Sequence, residues 1–238
     1  MKKVITYETL RNFAYSNDRL IMGKIRGIVV EFFGLGSTTV HHNDSGEAME
    51  YAAQNILYVI PYNNPWNWMN DQAVAYTDEV IDVLCEQYGL GADVRVVSTG
   101  GSMGGMSALV YTVYSKRTPV ACVANCPVCD MPYHFTERPD LPRTIYSAYG
   151  SEEGDLEEVL RRHSPLHLVD RMPKIPYTVF HCEKDDRVNL EKHSLAFVKE
   201  MEKEHDITFI RVPLRPHCRL SPAAQVAYQK AILNALEE

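Results

Sequence analysis

Residues 94–110 read Val-Arg-Val-Val-Ser-Thr-Gly-Gly-Ser-Met-Gly-Gly-Met-Ser-Ala-Leu-Val. The first residues are apolar and β-branched, which is typical of a buried strand. A cluster of glycines around one serine indicates a tight turn, and the apolar residues after it indicate the start of a helix. The stretch therefore predicts a strand, a sharp turn and a helix in immediate succession.

The turn itself, Gly100-Gly101-Ser102-Met103-Gly104, fits the pattern G-x-S-x-G. A serine on a sharp strand-to-helix turn is crowded two residues before and two residues after it, so Gly100 and Gly104 are what the turn requires. Such a turn places the hydroxyl of Ser102 above the strand end and points free helix N–H groups at whatever the serine attacks. Because glycine and serine are common in loops, an ordinary strand–helix turn is the alternative.

The composition limits the classes of function. The chain has 238 residues, of which 45% are hydrophobic and 23% charged, which suits one globular domain. A net charge of −7 disfavours a nucleic-acid partner. No apolar run resembles a secretory signal or reaches the ~20 residues that cross a bilayer, so we expect no membrane partner. Six cysteines without a signal predict reduced, mostly buried thiols in a cytoplasmic protein.

Strands alternate with helices along most of the chain. Apolar runs predict strands at 25–33, 56–60, 93–98, 120–125, 175–181 and 207–212, and helical spacing predicts helices at 48–55, 71–88, 103–116, 190–203 and 222–236. The strands are continuously apolar, which is typical of a mainly parallel sheet with helices on both faces. Residues 126–170 contain several prolines and read as irregular, apart from a helical patch at 155–162. We expect a single α/β domain over 1–238, in which 126–163 forms a short lid-like insert.

A serine attacks only when a base takes its proton, and that base needs an acid beside it. In parallel sheets these groups collect at the carboxyl ends of the strands. Asp185 and Asp186 follow the strand at 175–181, and His217 follows the strand at 207–212. The alternative is that all three are ordinary solvated loop residues. The position after the strand does not by itself choose between the two aspartates. Serine, aspartate and histidine in this order is the arrangement of α/β-hydrolases.

Residues 25–236 resemble the α/β-hydrolase superfamily, and the second half resembles its prolyl-oligopeptidase and dienelactone-hydrolase branch. That branch has Ser-Pro, an apolar strand and then H-G-x-x-D-x-x-V. This chain has Ser164-Pro165 and, over 181–188, His-Cys-Glu-Lys-Asp-Asp-Arg-Val. The resemblance implies Asp185 as the acid and His217 as the base, and it implies a structural role for the histidine that opens the run.

The resemblance also implies an oxyanion hole made of two main-chain N–H groups. One is the N–H of Met103, directly after the nucleophile. The other is the N–H of Leu35, because Phe33-Gly34-Leu35-Gly36 resembles the H-G-x-G run of the family. Two residues depart from the family pattern: Phe33 stands in place of a histidine, and Cys182 stands in place of a glycine.

Three further groups of residues each have more than one interpretation. Tyr62, Trp66 and Trp68 follow a strand on the same face and are expected to line a substrate pocket, with packing onto the core as the alternative. Cys126-Pro127-Val128-Cys129 is a C-x-x-C run without a second pair of ligands, which favours two reduced thiols over a zinc or redox site. His41-His42 is not expected to bind metal, because adjacent side chains rarely point the same way.

The resemblance implies a serine hydrolase that cleaves a carboxylic ester of a small molecule through an acyl-enzyme on Ser102, without cofactor or metal. A peptidase or amidase of the prolyl-oligopeptidase kind is the first alternative. Such peptidases carry a large N-terminal gating domain, which we do not expect here. An inactive hydrolase fold that binds a ligand is the second alternative. The acyl group, the alcohol group and the oligomeric state, including a homo-oligomer, stay open.

Overall fold

One seven-stranded sheet forms the centre of the computed structural model, which describes residues 4–237. Its strands are β1 (Ala14–Ser16), β2 (Gly27–Phe32), β3 (Ile56–Pro61), β4 (Val96–Gly101), β5 (Ala121–Asn125), β6 (Tyr177–Lys184) and β7 (Ile207–Pro216). They lie in the order β1-β3-β2-β4-β5-β6-β7, and all neighbours are parallel except β1 and β3. The chain runs from β2 to β3 on one side and crosses back to β4 on the other. The strand order therefore reverses at β2, where open α/β sheets place their ligands.

Helices cover both faces of the sheet. They are α1 (Gly46–Ala53), α2 (Asp71–Tyr88), α3 (Met103–Tyr114), α4 (Met131–Glu137), α5 (Leu141–Tyr149), α6 (Leu156–Arg162), α7 (Ala196–Met201) and α8 (Pro222–Glu237). Helices α1 and α8 contribute Tyr51 and Ile232 to the apolar layer on one face. Helices α2, α3 and α7 contribute Ile81, Leu109 and Phe197 to the layer on the other. Strands β2 to β6 are thus largely buried on both faces, which explains why they are continuously apolar, whereas the edge strand β7 is mostly half-buried or exposed.

Residues 126–170 contain more regular structure than the sequence predicts, because α4, α5 and α6 occupy much of this segment. Pro132 and Pro142 lie in the first turns of α4 and α5, where a missing N–H costs no hydrogen bond. The side chain of Asp130 accepts the N–H of Tyr133 at 3.1 Å and caps α4. The prolines that suggested irregular chain are therefore helix starts.

Two other boundaries differ from the prediction. The helix expected at 190–203 begins with a π-helical turn, Glu191–Leu195, before α7. Such a turn inserts an extra residue into a helix, and His193 within it is fully buried. Strand β7 continues to Pro216, past the expected end at 212, so His217 follows the strand directly.

Two further findings concern the thiols and the helices of the described residues. All six cysteines are free thiols, and Cys218 is half-buried whereas the other five are buried. Between residues 4 and 237 no helix has both the length and the apolar character that a membrane span needs.

Candidate active site

Ser102 occupies a strained turn between β4 and α3. Its φ of 61° and ψ of −125° form a conformation that L-residues rarely adopt and that costs on the order of 1–3 kcal/mol. A Cβ on Gly104 would lie 2.0 Å from the carbonyl oxygen of Phe32, and one on Gly100 would lie 2.5 Å from the carbonyl oxygen of Gly104. The N–H of Ser102 donates to the carbonyl of Asn125 at 2.9 Å. Backbone contacts therefore require both glycines, and they hold the serine at the carboxyl end of β4.

His217 and Asp185 meet at the same edge of the sheet. The Nδ1–H of His217 donates to Oδ2 of Asp185 at 2.6 Å. The other carboxylate oxygen accepts the N–H groups of Arg187 at 2.8 Å and Val188 at 2.9 Å. Asp186 instead points to solvent, with its side chain 75% exposed. The structure thus brings Asp185, not Asp186, to the histidine.

The electrostatic environment favours charge on both members of this pair. Burial lowers the pKa of His217, but the contacts with the Asp185 carboxylate and with the sulfur of Cys126 together outweigh burial and raise the pKa to about 9. Burial raises the pKa of Asp185, but hydrogen bonds from His217 and from two main-chain N–H groups hold that pKa below its usual range. The carboxylate is therefore ionised at neutral pH and can orient the imidazole and stabilise its positive charge.

Ser102 and His217 line a common cavity of about 540 Å³. Its charged and titratable wall residues also include Glu31, His134, Arg138, Asp140 and Arg187, and its aromatic and apolar wall residues include Phe33, Leu35 and Trp68. The α4–α5 segment supplies His134, Arg138 and Asp140, so the predicted insert forms one wall. A cavity of this volume is in the range of small-molecule sites.

The three aromatic residues expected in a substrate pocket are separated by the fold. Trp68 lines the cavity of Ser102 and donates its indole N–H to Thr144 of α5 at 3.2 Å. Tyr62 and Trp66 line a different pocket, of about 240 Å³. The backbone of Trp68 has a φ of 43°, which turns the chain between the two tryptophans. The expectation for Tyr62 and Trp66 is thus corrected: they are not part of the wall around Ser102.

The two main-chain groups expected to bind an oxyanion flank Ser102. Met103 is the first residue of α3, and Leu35 lines the cavity in the loop after β2. A Cβ on Gly34 would lie 3.9 Å from the Cβ of Ser102, so this loop passes close to the serine. Phe33, which stands where the family has histidine, stacks on His41 with ring centroids 5.6 Å apart. The loop is therefore held by an aromatic contact between a wall residue of the cavity and His41.

A buried hydrogen-bond network that the sequence does not predict extends from the cavity wall at His134. Nδ1 of His134 lies 2.6 Å from Oε2 of Glu137, and Nε2 of His193 lies 3.0 Å from the same oxygen. The Nδ1 atom of His193 accepts the N–H groups of Cys129 and Asp130, both at 3.1 Å. His193 must therefore carry its proton on Nε2 and donate it to Glu137. Only the helical i, i+3 spacing of His134 and Glu137 could have suggested a contact.

The second nitrogen of His217 contacts thiols. Nε2 lies 3.6 Å from Sγ of Cys218, and no hydrogen bond joins it to Ser102 among residues 4–237. The Sγ atoms of Cys126 and Cys218 and a ring nitrogen of His217 all lie within 4.8 Å of one another. Cys129 does not join this group, because its thiol donates to the carbonyl of Pro127 at 3.6 Å. The C-x-x-C run is thus divided, and one of its thiols lies beside the histidine.

Solved structures define the class of this fold. S-formylglutathione hydrolase from Agrobacterium tumefaciens is similar with a TM-score of 0.70 at 16% identity, over 94% of this chain and 88% of that one. Inhibited esterase B from Lactobacillus rhamnosis has a TM-score of 0.69 at 14% identity, over 91% and 78%. Acylaminoacyl peptidase from Pyrococcus horikoshii has a TM-score of 0.70 at 15% identity, over 91% and 38%. The chain therefore has the α/β-hydrolase fold, as the sequence predicted.

The family follows from the sequence match. Residues 66–236, well over half of the chain, match the model of the prolyl oligopeptidase family. The chain belongs to this family and so to the serine hydrolase superfamily. It spans 37% of the length of an acylaminoacyl peptidase solved in complex with Z-Gly-Gly-Phe-chloromethyl ketone. None of the curated proteins compared with the sequence matches it.

Proposed function

We propose that the chain is a serine hydrolase that cleaves a carboxylic ester of a small molecule through an acyl-enzyme on Ser102. The observation that carries this proposal is the strained turn that presents Ser102 to the same cavity as the His217–Asp185 pair. A strained conformation of this kind persists only where its surroundings enforce it, and such positions cluster at active sites. The cavity volume of about 540 Å³ supports a small substrate.

The first half of the reaction forms the acyl-enzyme. His217 turns its Nε2 from Cys218 toward Ser102 and accepts the hydroxyl proton while Oγ attacks the ester carbonyl. The N–H groups of Leu35 and Met103 bind the oxygen as its negative charge develops. The tetrahedral intermediate then collapses, the bond to the alcohol oxygen breaks, and His217 gives the proton to the leaving alcohol.

The second half releases the acid. A water molecule attacks the acyl carbonyl of Ser102 while His217 takes its proton, and the serine hydroxyl is restored when the imidazole returns that proton to Oγ. Asp185 keeps the imidazole in the Nδ1–H tautomer in both halves. Trp68 and Leu35, as wall residues, contact the substrate.

Labelling with a fluorophosphonate and turnover of aryl esters test this proposal. We expect wild type to be labelled on Ser102, and Ser102→Ala to lose the label and roughly a millionfold in turnover, the scale for a triad nucleophile. Ser107→Ala is the matched control, because Ser107 lies one turn further along α3 with its hydroxyl bonded to the carbonyl of Met103. Absent labelling of wild type would favour the alternative of an inactive binding module. Near-normal turnover in Ser102→Ala would exclude the mechanism.

Amide hydrolysis is the second candidate function, and the match to the prolyl oligopeptidase family favours it. The same serine and histidine would act, with an amine as the leaving group. Paired substrates with one acyl group, either as the aryl ester or as the aminoacyl amide, separate the two. We expect a higher kcat/KM for the ester after correction for the difference in intrinsic reactivity, and the reverse result would assign a peptidase.

The environment of the reaction is part of the same proposal. Free thiols support a reducing compartment such as the cytoplasm. The acidic net charge of −7 supports a small-molecule partner over nucleic acid. The proposed steps use side chains and main-chain groups of this chain and need no cofactor.

A further inference from the structure

The thiols around His217 have no part in the proposed hydrolysis. Sγ of Cys218 lies 3.6 Å from Nε2 of His217, and Sγ of Cys126 lies within 4.8 Å of both Cys218 Sγ and the imidazole. Because Nδ1 of His217 is bonded to Asp185, the nitrogen that faces the thiols is Nε2. Two sulfur atoms and one imidazole nitrogen thus converge on a single small volume.

This spacing fits a tetrahedral thiophilic ion. With zinc–sulfur bonds of about 2.3 Å and zinc–nitrogen bonds of about 2.0–2.1 Å, tetrahedral angles separate sulfur from nitrogen by about 3.6 Å and sulfur from sulfur by about 3.8 Å. The observed separation of Cys218 Sγ and His217 Nε2 is 3.6 Å. An ion could therefore bind between these two atoms, in place of their protons, with little movement of either side chain.

The surroundings of the three ligands are those that metal sites use. Asp185 accepts the Nδ1–H of His217, which gives the carboxylate–histidine–metal arrangement that orients a ligand and raises its basicity. Sγ of Cys126 accepts the N–H of Cys182 at 3.3 Å, a contact that stabilises a thiolate. A Cβ on Gly101 would lie 3.3 Å from Sγ of Cys218, so the glycine leaves room for this sulfur.

A neighbouring amide offers a further polar group. Asn125 is 7% exposed, and its Nδ2 donates to the carbonyl of Cys218 at 3.2 Å. Its Oδ1 is buried and has no hydrogen-bond partner among the described residues. A buried acceptor without a partner costs free energy, and a water on the fourth position of a bound ion could donate to it.

We propose that Cys126, Cys218 and His217 form a binding site for a thiophilic divalent ion such as zinc, and that binding switches hydrolysis off. Both thiols and the imidazolium of His217 each release a proton to solvent, so the imidazole is neutral and the dication and two thiolates are together neutral. The ion takes the Nε2 lone pair, which can then no longer accept the proton of Ser102. Cys218 and His217 both line the cavity, which gives the ion a path. The inhibitory half of this inference rests on the proposed function, and the binding half does not.

A second cluster with suitable ligand types is less able to take an ion. His134, Glu137 and His193 also have ligand atoms within 4.8 Å of one another. Glu137 already accepts from His193 and bonds His134, and the far nitrogen of His193 accepts two main-chain N–H groups. An ion there would have to displace satisfied hydrogen bonds, whereas at Cys218 it displaces only the long thiol contacts with Nε2 of His217 and the carbonyl of Asn125, both at 3.6 Å.

Cobalt(II) added to the reduced, metal-free full chain tests binding without any catalytic assay. We expect one ion per chain, with a thiolate-to-cobalt charge-transfer band and tetrahedral d–d bands that zinc abolishes by displacement. Cys218→Ala should weaken zinc binding by more than the roughly 10–100-fold that loss of an outer-shell partner costs. Cys85→Ala removes a buried thiol of α2 and should bind like wild type, and Ser102→Ala should still give the thiolate band. Absence of that band in wild type would overturn the proposal.

Inhibition of ester turnover by zinc tests the inhibitory half of the proposal. We expect zinc to inhibit wild type in the concentration range in which it displaces cobalt, and a chelator to restore turnover. Cys218→Ala should need at least tenfold more zinc for the same fractional inhibition, and Cys126→Ala serves as the second variant once circular dichroism shows it folded. Unchanged sensitivity in Cys218→Ala would place the inhibitory ion elsewhere and overturn the proposal. A thiolate band in wild type that hydrolyses no ester would support the metal site and contradict the proposed function.

Discussion

His217 and His134 both border the cavity and both lie 2.6 Å from a carboxylate, but they have opposite pKa shifts. In His217 burial lowers the pKa, but the Asp185 carboxylate and the sulfur of Cys126 together outweigh burial and raise the pKa to about 9. In His134 burial dominates and lowers the pKa to about 4, although Glu137 opposes the change. At neutral pH the ring of His134 is therefore uncharged, whereas that of His217 holds a proton readily.

The different burial of the two rings explains the opposite pKa shifts of His217 and His134. The side chain of His217 is 19% exposed, whereas that of His134 is 2% exposed and shares its carboxylate with His193. His181 is a second buried histidine beside a carboxylate, in this case the Asp185 carboxylate that also contacts His217. It is fully buried with Nε2 3.5 Å from Asp185, and burial lowers its pKa to about 4. A carboxylate contact alone does not make a catalytic base, because the ring must also stay partly exposed for its charged form to be tolerated.

Replacing each histidine by glutamine tests the difference between His217 and His134, and it should give the largest loss of activity among these predictions. His217→Gln should lower kcat for an aryl ester by roughly 10⁶, the scale for a triad histidine. His134→Gln should change kcat by less than about tenfold and act on KM, because His134 is a wall residue. Steady-state kinetics on variants shown to be folded measure both effects. Equal losses of kcat would mean that the two imidazoles are not functionally distinct.

Removing the negative charge beside the base should have the next largest effect. Asp185→Asn should lower kcat by about 10⁴, because the amide no longer enforces the productive tautomer. Asp186→Asn is the matched control: its side chain points to solvent and should leave kcat close to wild type. A large loss in Asp186→Asn would contradict the placement of the acid.

The pH dependence follows from the direction of the His217 shift. A raised pKa means that the imidazole is protonated, and so unable to accept a proton, at pH values below about 9. We therefore expect kcat/KM to rise about tenfold per pH unit on the acid side of that value and then level off. Imidazole proton shifts measured by NMR should titrate near that pH for His217 and near pH 4 for His134. An acid limb centred near pH 6.5 would show that the surroundings of His217 do not raise its pKa.

The smallest effect concerns stability. Glu137→Gln leaves two buried imidazoles with a weaker acceptor, so the free energy of unfolding at pH 7 should fall by about 1–3 kcal/mol. Glu157→Gln is the control, because the exposed pair of Glu157 with Arg161 should contribute less than about 1 kcal/mol. Urea denaturation measures both. A neutral effect of Glu137→Gln would mean that the network does not stabilise the cavity wall.

Much of the architecture was readable from local sequence. Continuous apolar runs gave the parallel strands, and the G-x-S-x-G spacing gave the turn at Ser102, because both depend on residues within a few positions of each other. The prolines of α4 and α5 misled the prediction, because proline breaks a helix interior and also starts a helix. The buried network of His134 was invisible, since its partner His193 enters through a π-helical turn far along the chain.

The sequence by itself determined the strand, turn and helix at Ser102, because a Cβ at Gly100 would meet the carbonyl oxygen of Gly104 within the same turn. A Cβ at Gly104 is instead excluded by the carbonyl oxygen of Phe32 on strand β2, so the strain at Ser102 also depends on the packed sheet. Tertiary structure alone decided which tryptophan reaches the cavity, which imidazoles stay neutral, and which thiols surround His217. Asn125 and Cys218, which fix the thiol cluster, are 93 residues apart. Backbone geometry is a local property, whereas burial and the meeting of distant side chains exist only once the whole sheet has packed.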